Sequence, residues 1–195
     1  MWPRILGWGI IVTGFLWLST LGHAATLQID GTGRLTGATG VDVGGTLYDV
    51  VFLDGTCAGL FSGCDAPADF PFPTEAGALS AAQALLDQVF IGPFDTPPFP
   101  TGNIFGCPND GFCGALIPFG FGEFNQLLTA VAINDVVESS DGLSIFEGTP
   151  TDTGSDSLFV YAVWTPSSSA AVPAPSTFVL LGAAGLAAWL ARRKR

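Results

Sequence analysis

Two long apolar runs bracket the chain, and between them hydrophobic and polar positions change period several times. The stretch from Thr26 to Gly45, TLQIDGTGRLTGATGVDVGG, mixes Thr and Gly with isolated aliphatics and predicts short strands and turns. Thr46 to Leu53, TLYDVVFL, lies between Gly45 and Gly55 and predicts a strand. Thr74 is suited to cap a helix running to about Phe90, with Ala76, Leu79, Ala82, Leu85, Leu86 and Val89 on one face. A second strand is expected within Leu127 to Val137, through Thr129–Asn134. Ser157 to Trp164, SLFVYAVW, is apolar on both faces, as in a central buried strand. Residues 91–122 and 138–157 read as long, turn-rich segments. The pattern predicts an α+β fold: a small antiparallel sheet with one packed helix, rich in loops.

The ends predict placement. Arg4 precedes an apolar run from Ile5 to Leu18, and Gly22-His23-Ala24 then puts small residues at the positions a signal peptidase reads. Cleavage is expected between Ala24 and Ala25, by the general secretion machinery. At the other end, a Pro/Ser/Ala linker leads to Val172-Pro173-Ala174-Pro175-Ser176. An uncharged run from Phe178 to Ala191 follows, closed by Arg192-Arg193-Lys194-Arg195. Fourteen helical residues span about 21 Å, short of a bilayer core of about 30 Å, with flanking Ser176, Thr177 and a snorkelling Arg192 adding reach. The expected order is therefore signal peptide 1–24, acidic extracellular domain 25–165, linker with sorting motif 166–177, transmembrane helix 178–191 and basic cytoplasmic tail 192–195.

This ordered tail resembles the PEP-CTERM sorting signal. The family motif is Val-Pro-Glu-Pro, and here Ala174 stands where the glutamate would be. The resemblance implies a substrate of an exosortase, a multipass membrane peptidase often linked with exopolysaccharide production. It also implies transient residence at the inner membrane, then release to the cell surface or extracellular matrix. Prolines 173 and 175 keep the segment extended, as a membrane-embedded peptidase requires. The segments GVDVGGTLYDV, DGTC and FSGCD, the Ala-rich helix ending Leu85-Leu86-Asp87, and Tyr161-Ala162-Val163-Trp164-Thr165 are similar to a recurring ectodomain of such proteins.

Charge narrows the function. Between the two terminal segments Arg34 is the one basic residue against all 17 acidic residues, a formal charge of −16. His23, the one histidine, belongs to the signal. A single arginine cannot neutralise a phosphate backbone, so nucleic acid is excluded as a partner. No histidine is available as a base for a serine or cysteine nucleophile, or as a zinc ligand.

Cysteines 57, 64, 107 and 113 form two close pairs, and export favours their oxidation. Four cysteines allow three connectivities; Cys57–Cys64 and Cys107–Cys113 each close a short Gly-rich loop. The loops Asn109-Asp110-Gly111 and Asp152-Thr153-Gly154-Ser155-Asp156 carry oxygen ligands that calcium accepts, but match no EF-hand pattern and better suit a solvated acidic surface. Phe94, Phe99, Phe105, Phe112, Phe119, Phe121 and Phe124 either tuck beneath the loops or form a sticky surface for glycans. No cofactor and no catalytic residue is assigned. The reading is a non-catalytic surface or matrix protein with exopolysaccharide as a further partner; the alternatives are a glycan-binding or glycan-processing protein, or a calcium-dependent adhesion domain.

Overall fold

A computed structural model describes residues 24–95, 103–108, 111–135, 141–148 and 152–168. Seven strands form one sheet: β1 (Thr26–Ile29), β2 (Leu35–Val43), β3 (Thr46–Leu53), β4 (Phe112–Phe121), β5 (Leu127–Asp135), β6 (Gly142–Gly148) and β7 (Phe159–Pro166). A short helix, α1 (Cys57–Leu60), and a longer one, α2 (Glu75–Gln88), lie between β3 and β4.

The strand order is β1-β2-β3-β7-β4-β5-β6. Neighbours are antiparallel except β4 and β7, which run parallel over Gly114–Leu116 and Phe159–Tyr161. This corrects the expected α+β class with a small antiparallel sheet: the fold is β-rich, and its sheet is large and mixed. The expected transmembrane helix at 178–191 lies outside the described residues, and no helix among them is long and apolar enough to cross a membrane.

Alternation along the central strands makes two cores. Val50, Phe52, Ala115, Ile117, Ala130, Ala132, Val160, Ala162 and Trp164 face α2. Leu116, Leu127, Val131 and Tyr161 face the other way, beneath Cys57, Phe61 and Phe70. β4 and β7 are thus buried on both faces, which explains their unbroken apolar sequences. β7 takes the middle of the sheet, as its pattern predicted.

The helix begins as read. Thr74 caps it by accepting a hydrogen bond from the Gly77 amide at 3.2 Å. Its buried residues are Ala78, Ala81, Ala82, Ala84 and Leu85, while Ala76 is exposed. The buried stripe is therefore rotated from the predicted one. The large Leu79 and Leu86 pack at its borders, and small alanines let the helix axis approach the sheet closely.

The predicted strands at 46–53 and 129–134 correspond to β3 and β5. The two segments read as turn-rich contain β4 and β6. Gly114, Pro118 and Gly120 disguise β4. Pro118 is accommodated because the β7 pairing stops at Leu116 and the β5 register shifts just after Pro118. The phenylalanines of this region mostly tuck in: Phe94 and Phe119 are buried, and Phe105 and Phe121 pack at core borders. Phe124 alone of those described is almost fully exposed, on a turn with positive φ. Phe99 lies outside the described residues.

Candidate functional site

The two directions of the sheet define two ends with different chemistry. Thr26 starts β1 opposite Thr39 of β2. Asp49 of β3 lies opposite Thr165 of β7, one residue before the last of that strand. The chain therefore enters and leaves the sheet in nearly the same row, three strands apart, or about 14 Å. Ala24, before the expected cut, is exposed, whereas Ala25, after it, packs against the main core. At the exit, Pro166 still pairs with Tyr48, and the Ser167 amide donates to the Leu47 carbonyl at 3.0 Å. The Ser167 hydroxyl donates to Asp49 Oδ1, which also accepts from the Gly40 amide at 2.9 Å. Asp49 thus ties the departing chain to the β2–β3 hairpin.

The opposite end carries an open cleft of about 300 Å³, lined by Arg34, Asp54, Phe105, Gly106, Pro108 and residues 154–157. Arg34 is held by Asp30, with Nε to Oδ2 at 3.3 Å, and its guanidinium lies 5.8 Å from the centre of the Phe105 ring. Hydrogen bonds from the Thr32 side chain, then from the Arg34 and Thr32 backbone, hold the Asp30 carboxyl well below the usual carboxylate range. Asp54 behaves oppositely. Partial burial pushes its pKa up, a hydrogen bond from Thr153 opposes this, and the nearby Asp152 charge adds to the rise. The Thr153 hydroxyl also receives the Gly55 amide at 3.1 Å, fastening the loop before β7 to the one after β3.

The acidic loop proposed for calcium uses its carboxylates internally. Asp152 Oδ1 accepts from the Gly154 amide at 3.1 Å, and Asp156 Oδ1 from the Leu158 amide at 2.8 Å. Both act as turn caps. Asn109 and Asp110 lie outside the described residues. Among the described residues no group of three or more His, Cys, Asp or Glu side chains is arranged to hold a metal ion.

Disulfides join Cys57 to Cys64 and Cys107 to Cys113. The second closes the approach to β4 beside the cleft, and the first fixes α1 over the smaller core. That Arg34, Phe105 and Asp54 line one cleft was hidden in the sequence, since these residues are far apart along it. The isolation of Arg34 as the body's one cation was the only signal pointing to it.

Val172, Pro173, Ala174, Pro175 and Ser176, with Arg192, Arg193, Lys194 and Arg195, lie outside the described residues. Their sequence nevertheless carries a recognised motif. No curated protein and no solved structure matches the chain. Residues 171–195 match the family model for the PEP-CTERM protein-sorting motif. The motif implies processing by an exosortase and export toward the cell surface. This is therefore a chain that carries a PEP-CTERM sorting domain at its C-terminus.

Proposed function

We propose that the protein is a non-catalytic component of the cell surface or extracellular matrix, delivered by its sorting tail and associated there with exopolysaccharide. The observation that carries this reading is the tail match at 171–195 on a body whose charged residues are all acidic but Arg34. The geometry fits such delivery. Both chain ends leave one end of the sheet, so a single side of the domain faces the processing machinery, while the cleft faces away. Signal removal at Ala24–Ala25 and tail removal near Pro175 then leave the folded sheet whole. Mass spectrometry of the protein recovered outside the cell is expected to find a product beginning at Ala25 and lacking the residues after about Pro175. An extracellular product that retains Arg195 overturns the sorting part of the reading.

A second reading, a saccharide-binding module, is favoured by the cleft alone. It offers an aromatic ring, one guanidinium and carboxylates, groups that suit hydroxyl-rich ligands. Titration calorimetry of the exported protein with polysaccharide from its own host separates the two readings. Saturable heat that is lost in Phe105→Ala supports the module; heat unchanged by Phe105→Ala removes the cleft as its site, and no heat removes the module and the direct association with polysaccharide together.

A further inference from the structure

The two edges of the sheet are built differently. β1 has four residues and a register shift between Gln28 and Ile29, and the Asp30–Arg34 ion pair follows directly. Short length, a bulge and nearby charge are the usual protections of a free edge. β6, with sequence GLSIFEG, is longer and has no bulge, and its one charge is Glu147. It pairs along all seven residues with β5 without a shift, and contains no Pro, Lys or Arg.

β6 is also apolar on both faces. Leu143 and Ile145, opposite Ala132 and Ala130, lie on the face that carries α2, each 39% exposed. Phe146 lies on the other face, 41% exposed, with its ring edge-to-face against Phe159. A methyl group added at Gly142 or Gly148 would meet no described atom. The strand's one charge, Glu147, lies back against Gly122 of the β4–β5 turn. Among the described residues, nothing pairs with the outer side of this strand.

We infer that β6 is an association edge whose occupant is β6 of a second copy, giving a two-fold dimer in which an antiparallel β6–β6 junction joins two mixed sheets into one of fourteen strands. The strand is self-complementary about Ile145. An antiparallel two-fold pairing places Ile145 opposite Ile145, Ser144 opposite Phe146, Leu143 opposite Glu147, and Gly142 opposite Gly148. Apolar side chains meet at the centre, and glycines at both ends admit the partner's backbone. The pairing also keeps the charges apart. The two Glu147 residues sit four positions from one another along the ladder, about 14 Å, beyond the Debye length of about 8 Å at physiological salt. The remaining electrostatic opposition is the general repulsion of two bodies of formal charge −16, which salt screens.

The test is sedimentation equilibrium of the exported protein, with disulfides intact, from about 0.01 M to about 1 M salt, where the Debye length falls from about 30 Å to about 3 Å. A monomer–dimer equilibrium is expected, with Kd at least about tenfold lower at the high-salt end. Ile145→Lys puts two cations opposite each other and is expected to weaken the dimer at least about tenfold. Ile29→Lys on the β1 edge leaves it unchanged. In the unaltered protein, amide exchange at 142–148 should slow as concentration rises, a readout independent of how well a variant folds. A protein that stays monomeric at 1 M salt, a dimer indifferent to Ile145→Lys, or exchange at 142–148 that ignores concentration overturns the proposal.

Discussion

At Gly114, the absence of a side chain sets how closely β4 and β7 approach. A Cβ built there would stand 2.5 Å from Cδ1 of Phe159, whose ring covers the glycine and touches Phe112 and Phe146 edge-to-face. Gly114 also donates its amide to the Leu158 carbonyl at 2.8 Å, so the backbone cannot retreat without losing that bond. Gly114→Ala is expected to destabilise the domain by about 1–3 kcal/mol, read from the urea midpoint at constant slope. Combining it with Phe159→Leu should recover part of the loss. Asp54 shows a different residue-scale effect. Burial raises its folded pKa above the unfolded value of 3.8, so the folded chain holds this proton to higher pH than the unfolded chain does. Its contribution to stability is fully present below the unfolded pKa and is lost as pH rises through the folded pKa. Asp54→Asn removes the charge while keeping an acceptor for Thr153. The variant should melt above the wild type at pH 7, with the advantage shrinking as pH falls toward about 3. An advantage that stays constant over this range would show that the Asp54 charge is not its cause.

Among the elements, the segment leading into β4 depends on its crosslink. Cys107 and Cys113 are fully buried, and their bond closes a loop of sequence separation 6. Replacing both with alanine should cost about 2 kcal/mol by loop entropy and leave the strand order unchanged, as measured by denaturant unfolding and far-UV circular dichroism. The same elements show what the sequence made legible. β3 and β7 were readable because glycines or a polar step mark their ends and apolar residues dominate between them, with Asp49 the one charge in β3. The Thr74 cap marked the start of α2, but its alanine-rich sequence left the buried face ambiguous: many small residues satisfy a helical period equally well. β4 was hidden by Gly114, Pro118 and Gly120, residues that usually break strands and are tolerated here by a close aromatic contact, a pairing that ends early and a register shift. β6 was hidden for the opposite reason. As an edge with both faces half-exposed, it shows no clean alternation. The parallel β4–β7 pair was not readable at all, since it depends on where the connection after β6 returns to the sheet, and no local pattern encodes that. The Arg34–Asp54–Phe105 cleft shares this limit, being assembled with residues 154–157 from four separate segments at one end of the sheet.

For the whole molecule, charge and chain direction act together. The intact chain has a formal charge of −11, yet all but one of its cations lie in the end segments expected to be removed. The expected processing would therefore strip positive charge rather than merely shorten the chain, leaving a product of formal charge −16. The fold permits this without damage. The chain enters through an edge strand, after Ala24, and leaves past Ser167, so the first two residues of the expected linker belong to the sheet's end, held by the Tyr48 pairing and the Asp49 and Leu47 bonds. The expected signal cut falls before β1 begins, next to Ala25 at the border of the main core, and the expected tail cut lies beyond the last described residue. Mature protein from outside the cell should consequently elute from an anion exchanger at distinctly higher salt than the unprocessed chain, with the same melting midpoint for the folded domain. Because −16 on a body of this size repels its own copies, the mature product should also show a scattering second virial coefficient that is strongly positive at low salt and falls as salt is added. Co-elution of the extracellular and unprocessed forms would mean that the cationic ends remain attached, and the delivery route would then have to be one that leaves the tail in place.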